Sequence, residues 1–231
     1  MTNYLSQKTI DAAAIQGDWF GQVDAEVFIS HSHSDLDLAL SVAGWLSSQF
    51  GLSSFVDSSV WGHANTLLKI LDKKYCWMDD KGSYDYDSRN RSTSHVHMML
   101  STALSKMIDR TECIIFLNTP ESIVVEDAIT EVGDEKTGSP WIYAELVASR
   151  LIRKKEPVRH PVTESYDDGL MKRQATAGTI PIRYAVGEEL NLLTPLSIRD
   201  LEVWEAHSSN AQVASKLDVL YQIKPLKNQT K

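Results

Sequence analysis

The pattern of apolar and polar positions predicts alternating strands and helices along most of the chain. The run AEVFIS at 25–30 is apolar and aromatic, which suits a buried strand. The period then changes, because apolar residues recur at three- and four-residue steps over 36–50, the spacing of one helix face. Gly51 can close this helix, and Ser34 with Asp37 three residues later predicts a capping box at its start.

The same criteria predict further elements and one polar segment. Strands are predicted at 52–57, 112–118 and 180–186, and helices at 6–17, 65–75, 95–109, 141–152, 197–207 and 211–223. The stretch at 79–94 combines turn formers with mixed charge and lacks apolar periodicity, so we predict an exposed loop or insertion. Strands that alternate with helices favour an α/β fold with a parallel sheet, in which ligands bind outside the carboxyl ends of the strands.

Composition narrows the expected partners and location. The chain has 231 residues, enough for a substantial core, and its 23 Lys and Arg against 31 Asp and Glu give a formal charge of -8. Without a basic block that could release counterions from phosphates, nucleic acid is not an expected partner. The sequence has no signal-peptide pattern and no apolar stretch of about 20 residues, so we expect a cytoplasmic protein without a membrane partner. Its two cysteines cannot form a framework of disulfides, which agrees with a reducing compartment.

A possible metal motif lies directly after the first predicted strand. The segment SHSHSD at 30–35 contains His-x-His-x-Asp, the opening of a two-metal hydrolase signature. His31 and His33 would point to the same side of a strand and could share a metal, with Asp35 beyond them. The metallo-β-lactamase pattern that this resembles continues Asp-His, whereas here Leu36 follows and begins the apolar helix face. We therefore favour a polar strand-to-helix turn and predict no metal, with a metal hydrolase as the weaker alternative.

Four segments in a particular order resemble a known family. They are AEVFISHSHSD at 25–35, SSFVDSSVWGH at 53–63, LSTALSKMIDRTECIIFLNTPES at 100–122 and SPWIYAELVASRLI at 139–152. Their order resembles a Toll/interleukin-1 receptor (TIR) domain of the bacterial kind. The resemblance implies a three-layer, flavodoxin-like α/β fold, with a five-stranded parallel sheet and helices on both faces. It also implies an N-terminal extension at 1–23, a TIR-like domain at 24–225 with an insertion at about 77–94, and a tail at 226–231.

The resemblance implies an activity and a catalytic residue. Many bacterial and plant TIR domains cleave NAD between nicotinamide and ribose, using a glutamate in a Trp-x-x-x-Glu stretch that corresponds to Trp141 and Glu145 here. Breaking this bond develops positive charge on the ribose, which a fixed carboxylate stabilises. Residues four apart on a helix lie one above the other, so the Trp141 ring beside the Glu145 carboxylate suits a cationic nicotinamide. A solvated glutamate next to a core tryptophan is the structural alternative.

Further residues match the family's substrate pocket. Phe28, Ser30 and His31, at the end of the first strand, match positions that line the nucleotide pocket, and strand packing and capping are their structural alternative. Asp57 and Trp61 fall in the loop after the second strand, which in the family folds over NAD or contacts a neighbouring subunit. An exposed tryptophan in such a loop suits either role.

The leading hypothesis is an enzyme that consumes NAD without a cofactor and releases nicotinamide with ADP-ribose or a cyclic ADP-ribose isomer. The chain resembles the Thoeris-type antiphage TIR proteins, which implies that its product signals to a separate effector protein. The competing hypothesis is a non-catalytic scaffold that self-associates through TIR surfaces, with the Trp61 loop at the interface. Glu145 discriminates between these functions, because a scaffold does not need a carboxylate at this position.

Overall fold

The computed structural model describes residues 5–6, 9–61, 64–125, 135–152, 182–209 and 215–226. They belong to two compact units. The helical unit comprises Met1–Val23 and Asp57–Met107, and the sheet unit comprises Asp24–Val56 and Ile108–Lys231. No helix within the described ranges is both long and apolar enough to cross a membrane.

Short strands and longer helices follow one another along the chain. The strands are β1 (Leu5–Ser6), β2 (Thr9–Ile10), β3 (Val27–Ser30), β4 (Ser54–Phe55), β5 (Trp77–Met78), β6 (Ser83–Tyr84), β7 (Cys113–Phe116), β8 (Val124–Val125), β9 (Glu135–Thr137) and β10 (Tyr184–Ala185). The helices are α1 (Ala12–Trp19), α2 (Leu36–Phe50), α3 (Asp57–Val60), α4 (Ala64–Tyr75), α5 (Tyr86–Arg110), α6 (Pro140–Leu151), α7 (Gly187–Leu192), α8 (Ile198–Ser208) and α9 (Lys216–Ile223). A 3-10 turn at His33–Asp35 precedes α2.

The centre of the sheet unit is a three-stranded parallel sheet with the order β4-β3-β7. Along β3 the register runs from Val27 opposite Cys113 to Ser30 opposite Phe116. Just beyond the strand, the Leu117 N–H donates to the Ser30 carbonyl at 2.9 Å. Parallel strands connected through helices confirm the α/β class that the alternating pattern predicts.

The side chains of successive β3 residues lie on opposite faces of this sheet. Val27 and Ile29 belong to an apolar cluster with side chains of α2, α8 and α9. Phe28 lies on the opposite face, where its ring centroid is 5.3 Å from that of Phe55. Ser30 shares the face of Phe28 and contacts α6, so helices lie on both sides of β3.

The apolar face predicted for α2 is confirmed. Ala39, Leu46 and Phe50 are buried against the sheet and α8. Trp204 of α8 is fully buried and stacks on Phe50 with ring centroids 4.0 Å apart. Gly51 ends the helix with a φ of 68°, a conformation that favours glycine.

Two predicted helix starts are wrong. Ser34 does not cap α2, because it lies inside the 3-10 turn that follows Ser32, and Asp35 occupies the N-cap position of α2. The first helix begins at Ala12, where Asp11 caps it, and not within the segment that forms β1 and β2. Both segments offer several residues that can cap a helix, and a local pattern does not decide among them.

A separate antiparallel sheet completes the described strands of the sheet unit, in the order β10-β9-β8. The strand predicted at 180–186 is present as β10, but it runs antiparallel to β9 and does not join the parallel sheet. Residues 180–181 lie outside the described ranges. The described strands therefore do not form a five-stranded parallel sheet. An apolar run indicates an extended segment, whereas its partner and direction depend on residues distant in sequence.

The first turns of α5 lie where a loop was predicted. The prediction of a loop over 79–94 is wrong, because β5 and β6 form a hairpin and α5 begins at Tyr86. Arg89 and Ser92 of α5 donate to the buried carboxylate of Asp72 on α4, at 3.0 and 2.5 Å. Because this helix contact is polar, the sequence of its first turns has no apolar periodicity.

The predicted domain boundaries stay a prediction. Residues 11–23, predicted as part of an extension, belong to the helical unit together with 57–107. The predicted tail is described only at Leu226, and the start of the last predicted helix, at 211–214, lies outside the described residues.

Candidate functional site

Ser30 and Glu145 meet at the carboxyl end of the parallel sheet. Ser30 is the last residue of β3, and its hydroxyl donates a hydrogen bond to Oε2 of Glu145, on the second turn of α6. The two residues are 1% and 5% exposed. Burying a carboxylate is costly unless polar groups surround it, so its position here requires donors such as Ser30.

Apolar neighbours hold the helix that carries Glu145. Ser139 caps α6 by accepting from the Ile142 N–H at 3.3 Å, and Pro140 occupies the first turn. Ile142 and Leu146 are buried in an apolar cluster that also contains Ile123. Ile142 precedes Glu145 by about one turn and Leu146 follows it directly, so burial of these two apolar side chains places the adjacent Glu145 on the inward side of α6.

A second polar contact joins the segments that follow β3 and β7. The Asp35 Oδ2 atom accepts from the Ser32 hydroxyl at 2.7 Å and from the Thr119 hydroxyl at 2.5 Å. Ser32 and Asp35 follow β3, whereas Thr119 follows β7. Sequence reasoning did not select Thr119, although its place in a polar segment after a buried strand is a signal that could have identified it.

The His-x-His-x-Asp segment, which the metal alternative would use, folds as a polar turn. Asp35 accepts from two hydroxyl groups, as described above. The ring nitrogen Nδ1 of His31 lies 3.2 Å from the Ile29 carbonyl oxygen, which accepts from it when this nitrogen carries the proton. His33 lies exposed in the 3-10 turn. The residues that the structure describes include no group of three or more His, Cys, Asp or Glu that could hold a metal ion.

The other residues predicted for the sheet unit lie near these contacts in sequence. Phe28 is buried against Phe55 on the face of the sheet that carries Ser30. His31 is buried directly after β3, and Trp141 is half-buried in the first turn of α6. The structure therefore joins Ser30 to Glu145. Phe28 lies on β3, His31 follows β3 directly, and Trp141 lies on α6 with Glu145.

Asp57 and Trp61 belong to the helical unit. The Asp57 carboxylate accepts from the Ser58 N–H at 2.6 Å, at the start of α3. Trp61 is 7% exposed, so the expectation of an exposed tryptophan is wrong. Its Nε1–H donates to the Gly21 carbonyl at 2.8 Å, and its ring packs edge-on against Phe20. The short helix α3 directly precedes Trp61. Local sequence does not predict that the Trp61 ring contacts the N-terminal segment.

The arrangement suits recognition of hydroxyl groups and stabilisation of positive charge. A fixed carboxylate accepts hydrogen bonds from a sugar, and in a site shielded from water its charge acts strongly on a developing cation. Cys113, at the amino end of the adjacent strand β7, is a poor nucleophile, because burial raises the pKa of its thiol to about 12. The described ionisable groups directly at or after the ends of β3 and β7 include Glu145, Asp35 and His31, and Ser30, Ser32 and Thr119 add hydroxyl groups there.

Comparisons with protein families, with curated proteins and with solved structures give no match to this chain. A functional conclusion must therefore come from the sequence motifs and the contacts within the sheet unit. The contact between Ser30 and Glu145 is the most informative of these, because it joins two residues that the sequence resemblance implies as site residues.

Proposed function

We propose that this chain is a TIR-type enzyme that cleaves the bond between nicotinamide and ribose in NAD, with Glu145 as the catalytic carboxylate. The contact that carries the proposal is the hydrogen bond from Ser30 to Glu145. Burial of the carboxylate at the ligand-binding edge of a parallel sheet supports a catalytic role, because a solvated helix residue would lie on the exposed face of α6.

The strand order supports the fold that the proposal includes. In chain order, β4-β3-β7 is second, first, third, which is the beginning of the flavodoxin-like order second-first-third-fourth-fifth. We propose that the parallel sheet is part of a five-stranded TIR-type sheet of this order. Ligands of such sheets bind beside the first and third strands, where the direction of winding changes. Ser30 and Thr119 follow those two strands.

The proposed reaction needs little acid catalysis. Nicotinamide in NAD is cationic and leaves as a neutral base, taking the electron pair of the bond to ribose. The ribose then carries positive charge, which the Glu145 carboxylate stabilises while it holds the ribose hydroxyls. Attack by water gives ADP-ribose, and attack by a nucleophilic group of the same ADP-ribose moiety gives a cyclic isomer, each with release of one proton. We propose that this product is a defence signal for a separate effector protein.

The aromatic residues of the sheet unit have roles in the same proposal. Trp141 lies one helical turn before Glu145 and offers an aromatic face to the nicotinamide cation. Phe28 and His31, at the end of β3, line the nucleotide pocket beside Ser30. In this proposal Ser30, Trp141, Phe28 and His31 together form the surroundings of the bound NAD.

A scaffold that acts only by self-association is the alternative. It was expected to use Trp61 as an exposed anchor, but this ring lies inside the helical unit. Large exposed aromatic residues are the usual anchors of such interfaces. The burial of Trp61 therefore favours the enzyme over this form of the scaffold.

The test is release of nicotinamide from NAD by the purified chain at high concentration, with a crowding agent, resolved by chromatography. Glu145→Gln retains the size and polarity of the side chain and should lower the rate by about 100-fold or more. Glu202→Gln makes the same chemical change on an exposed position of α8 and should retain parental activity. Equal release by the parent and Glu145→Gln would exclude the catalytic role of Glu145. No release by the folded parent would instead favour the scaffold.

A further inference from the structure

Asp35 connects the segments that follow two neighbouring strands of the parallel sheet. One carboxylate oxygen accepts from Ser32 after β3 and from Thr119 after β7. Asp35 and Thr119 are 84 residues apart in the sequence. Hydrogen bonds to a charged acceptor are stronger than those between neutral groups, so this carboxylate links the two segments firmly.

The segment that Thr119 begins is itself well ordered by hydrogen bonds. The Thr119 hydroxyl oxygen accepts from the Ser122 N–H at 3.2 Å, and the Thr119 N–H donates to the Ser122 hydroxyl at 2.9 Å. The Ser122 hydroxyl donates in turn to the Leu117 carbonyl at 2.8 Å, and Ser122 is 2% exposed. A displacement at Thr119 is therefore transmitted to Ser122.

This turn leads directly to the residues that hold α6. Ile123 follows Ser122, and its N–H donates to the Thr119 carbonyl at 3.0 Å. Its buried side chain packs with Ile142 and Leu146, which flank Glu145 on α6. The contacts thus form a closed path from Asp35 through the turn and α6 to Glu145, and back through Ser30 on β3.

We propose that Asp35 is a positioning residue for Glu145, acting through the Thr119 hydroxyl and the turn at 119–123. This inference rests on the proposed function of Glu145 for its catalytic consequence. The contacts set the distance between α6 and the end of β3, and therefore the position of the carboxylate relative to a ribose bound there. Small displacements of a catalytic group cost large factors in rate, so loss of the link should lower kcat.

The Thr119 hydroxyl can be removed almost without change of volume. Thr119→Val retains the shape of the side chain and eliminates the donor to Asp35, whereas Thr119→Ser retains the hydroxyl and serves as the matched control. We expect Thr119→Val to lower kcat for NAD cleavage by about tenfold, with KM changed less than about twofold. Thr119→Ser should restore kcat to near the parental value. Ser32→Ala, which removes the other donor to the same oxygen, should act in the same direction.

Hydrogen exchange separates this inference from the proposed function. If the link positions α6, the backbone amides of residues 141–146 should exchange faster in Thr119→Val than in the parent, and at the parental rate in Thr119→Ser. This readout does not depend on NAD cleavage, so a parent without activity would remove the proposed function while leaving the link testable. The positioning role would be overturned if exchange and kcat were unchanged in both Thr119→Val and Ser32→Ala. It would also be overturned if Thr119→Ser lost as much kcat as Thr119→Val, or if KM alone rose.

Discussion

Ser30 and Glu145 are separated by 115 residues in the sequence, yet the Ser30 hydroxyl donates directly to the Glu145 carboxylate in the interior of the sheet unit. The bond joins the central strand of the parallel sheet to α6. It therefore contributes to the stability of the fold as well as to the proposed chemistry.

We expect Ser30→Ala to lower the free energy of unfolding by about 1–3 kcal/mol, because a buried carboxylate loses a donor and water does not replace it readily. Urea unfolding followed by circular dichroism measures the difference. Ser41→Ala is the matched control, since Ser41 is exposed and its hydroxyl donates to the Asp37 carbonyl within the same helix, α2. Equal losses in the two variants would show that the contact with Glu145 adds no stability.

The polar contact between α4 and α5 predicts a similar loss in the helical unit. Asp72→Asn removes the charge that accepts from Arg89 and Ser92 and should cost about 1–3 kcal/mol. The ion pair between Arg89 and Asp72 should contribute only the lower end of this loss of free energy, because the Arg89 side chain is about half exposed. Asp80→Asn, on the exposed turn of the β5–β6 hairpin, should have little effect in the same urea experiment. A stable Asp72→Asn variant would contradict the importance of this contact.

Asp200 gives a prediction about acid stability. Hydrogen bonds from the Ser197 N–H, the Ser197 hydroxyl and the Lys224 ammonium group lower the pKa of Asp200 from 3.8 to about 2. A lowered pKa in the folded state means that the carboxylate stabilises the protein above the unfolded pKa and loses this effect as pH falls toward the folded one. The stability difference between the parent and Asp200→Asn should therefore be constant near neutral pH and shrink between about pH 4 and pH 2. A difference that persists at the acid end would contradict this assignment.

The two cysteines should react slowly in the folded protein. Burial raises the pKa of Cys113 to about 12, and burial is also the largest cause of the raised pKa of Cys76. Because the thiolate is the reactive form, alkylation by iodoacetamide near pH 8 should be at least about tenfold slower in the native protein than in urea. Mass spectrometry of the labelled peptides measures both sites separately. Rapid native labelling of Cys113 would contradict the shielding of its thiol beside Tyr221.

Local pattern predicted some helices closely. The spacing of apolar residues located α2, because that helix packs through an apolar face. Gly51 marked its end, because the residue after the helix adopts a positive φ. The start of α5 was missed because its first turns contact Asp72 through Arg89 and Ser92. Periodicity detects helices that bury apolar side chains, and it does not detect a helix held by a polar contact.

Strand pairing was harder to predict than the strands themselves. The segments that form β3, β4 and β7 were predicted from their apolar character, and their parallel arrangement followed from the alternation with helices. β10 was predicted as an extended segment, but its antiparallel pairing with β9 depends on Glu135–Thr137, which no pattern marked as a strand.

Residue type and order along the chain determined the α/β class and the apolar face of α2, and the family resemblance of the motifs implied Ser30 and Glu145 as candidate site residues. The tertiary structure decided which of these side chains meet. The register of β3 and the packing of α6 join Ser30 to Glu145, and the register of β3 beside β7 joins Asp35 to Thr119. The physical reason is that propensity and periodicity act over a few residues, whereas a hydrogen bond between distant segments forms only after burial and strand pairing have set their distance.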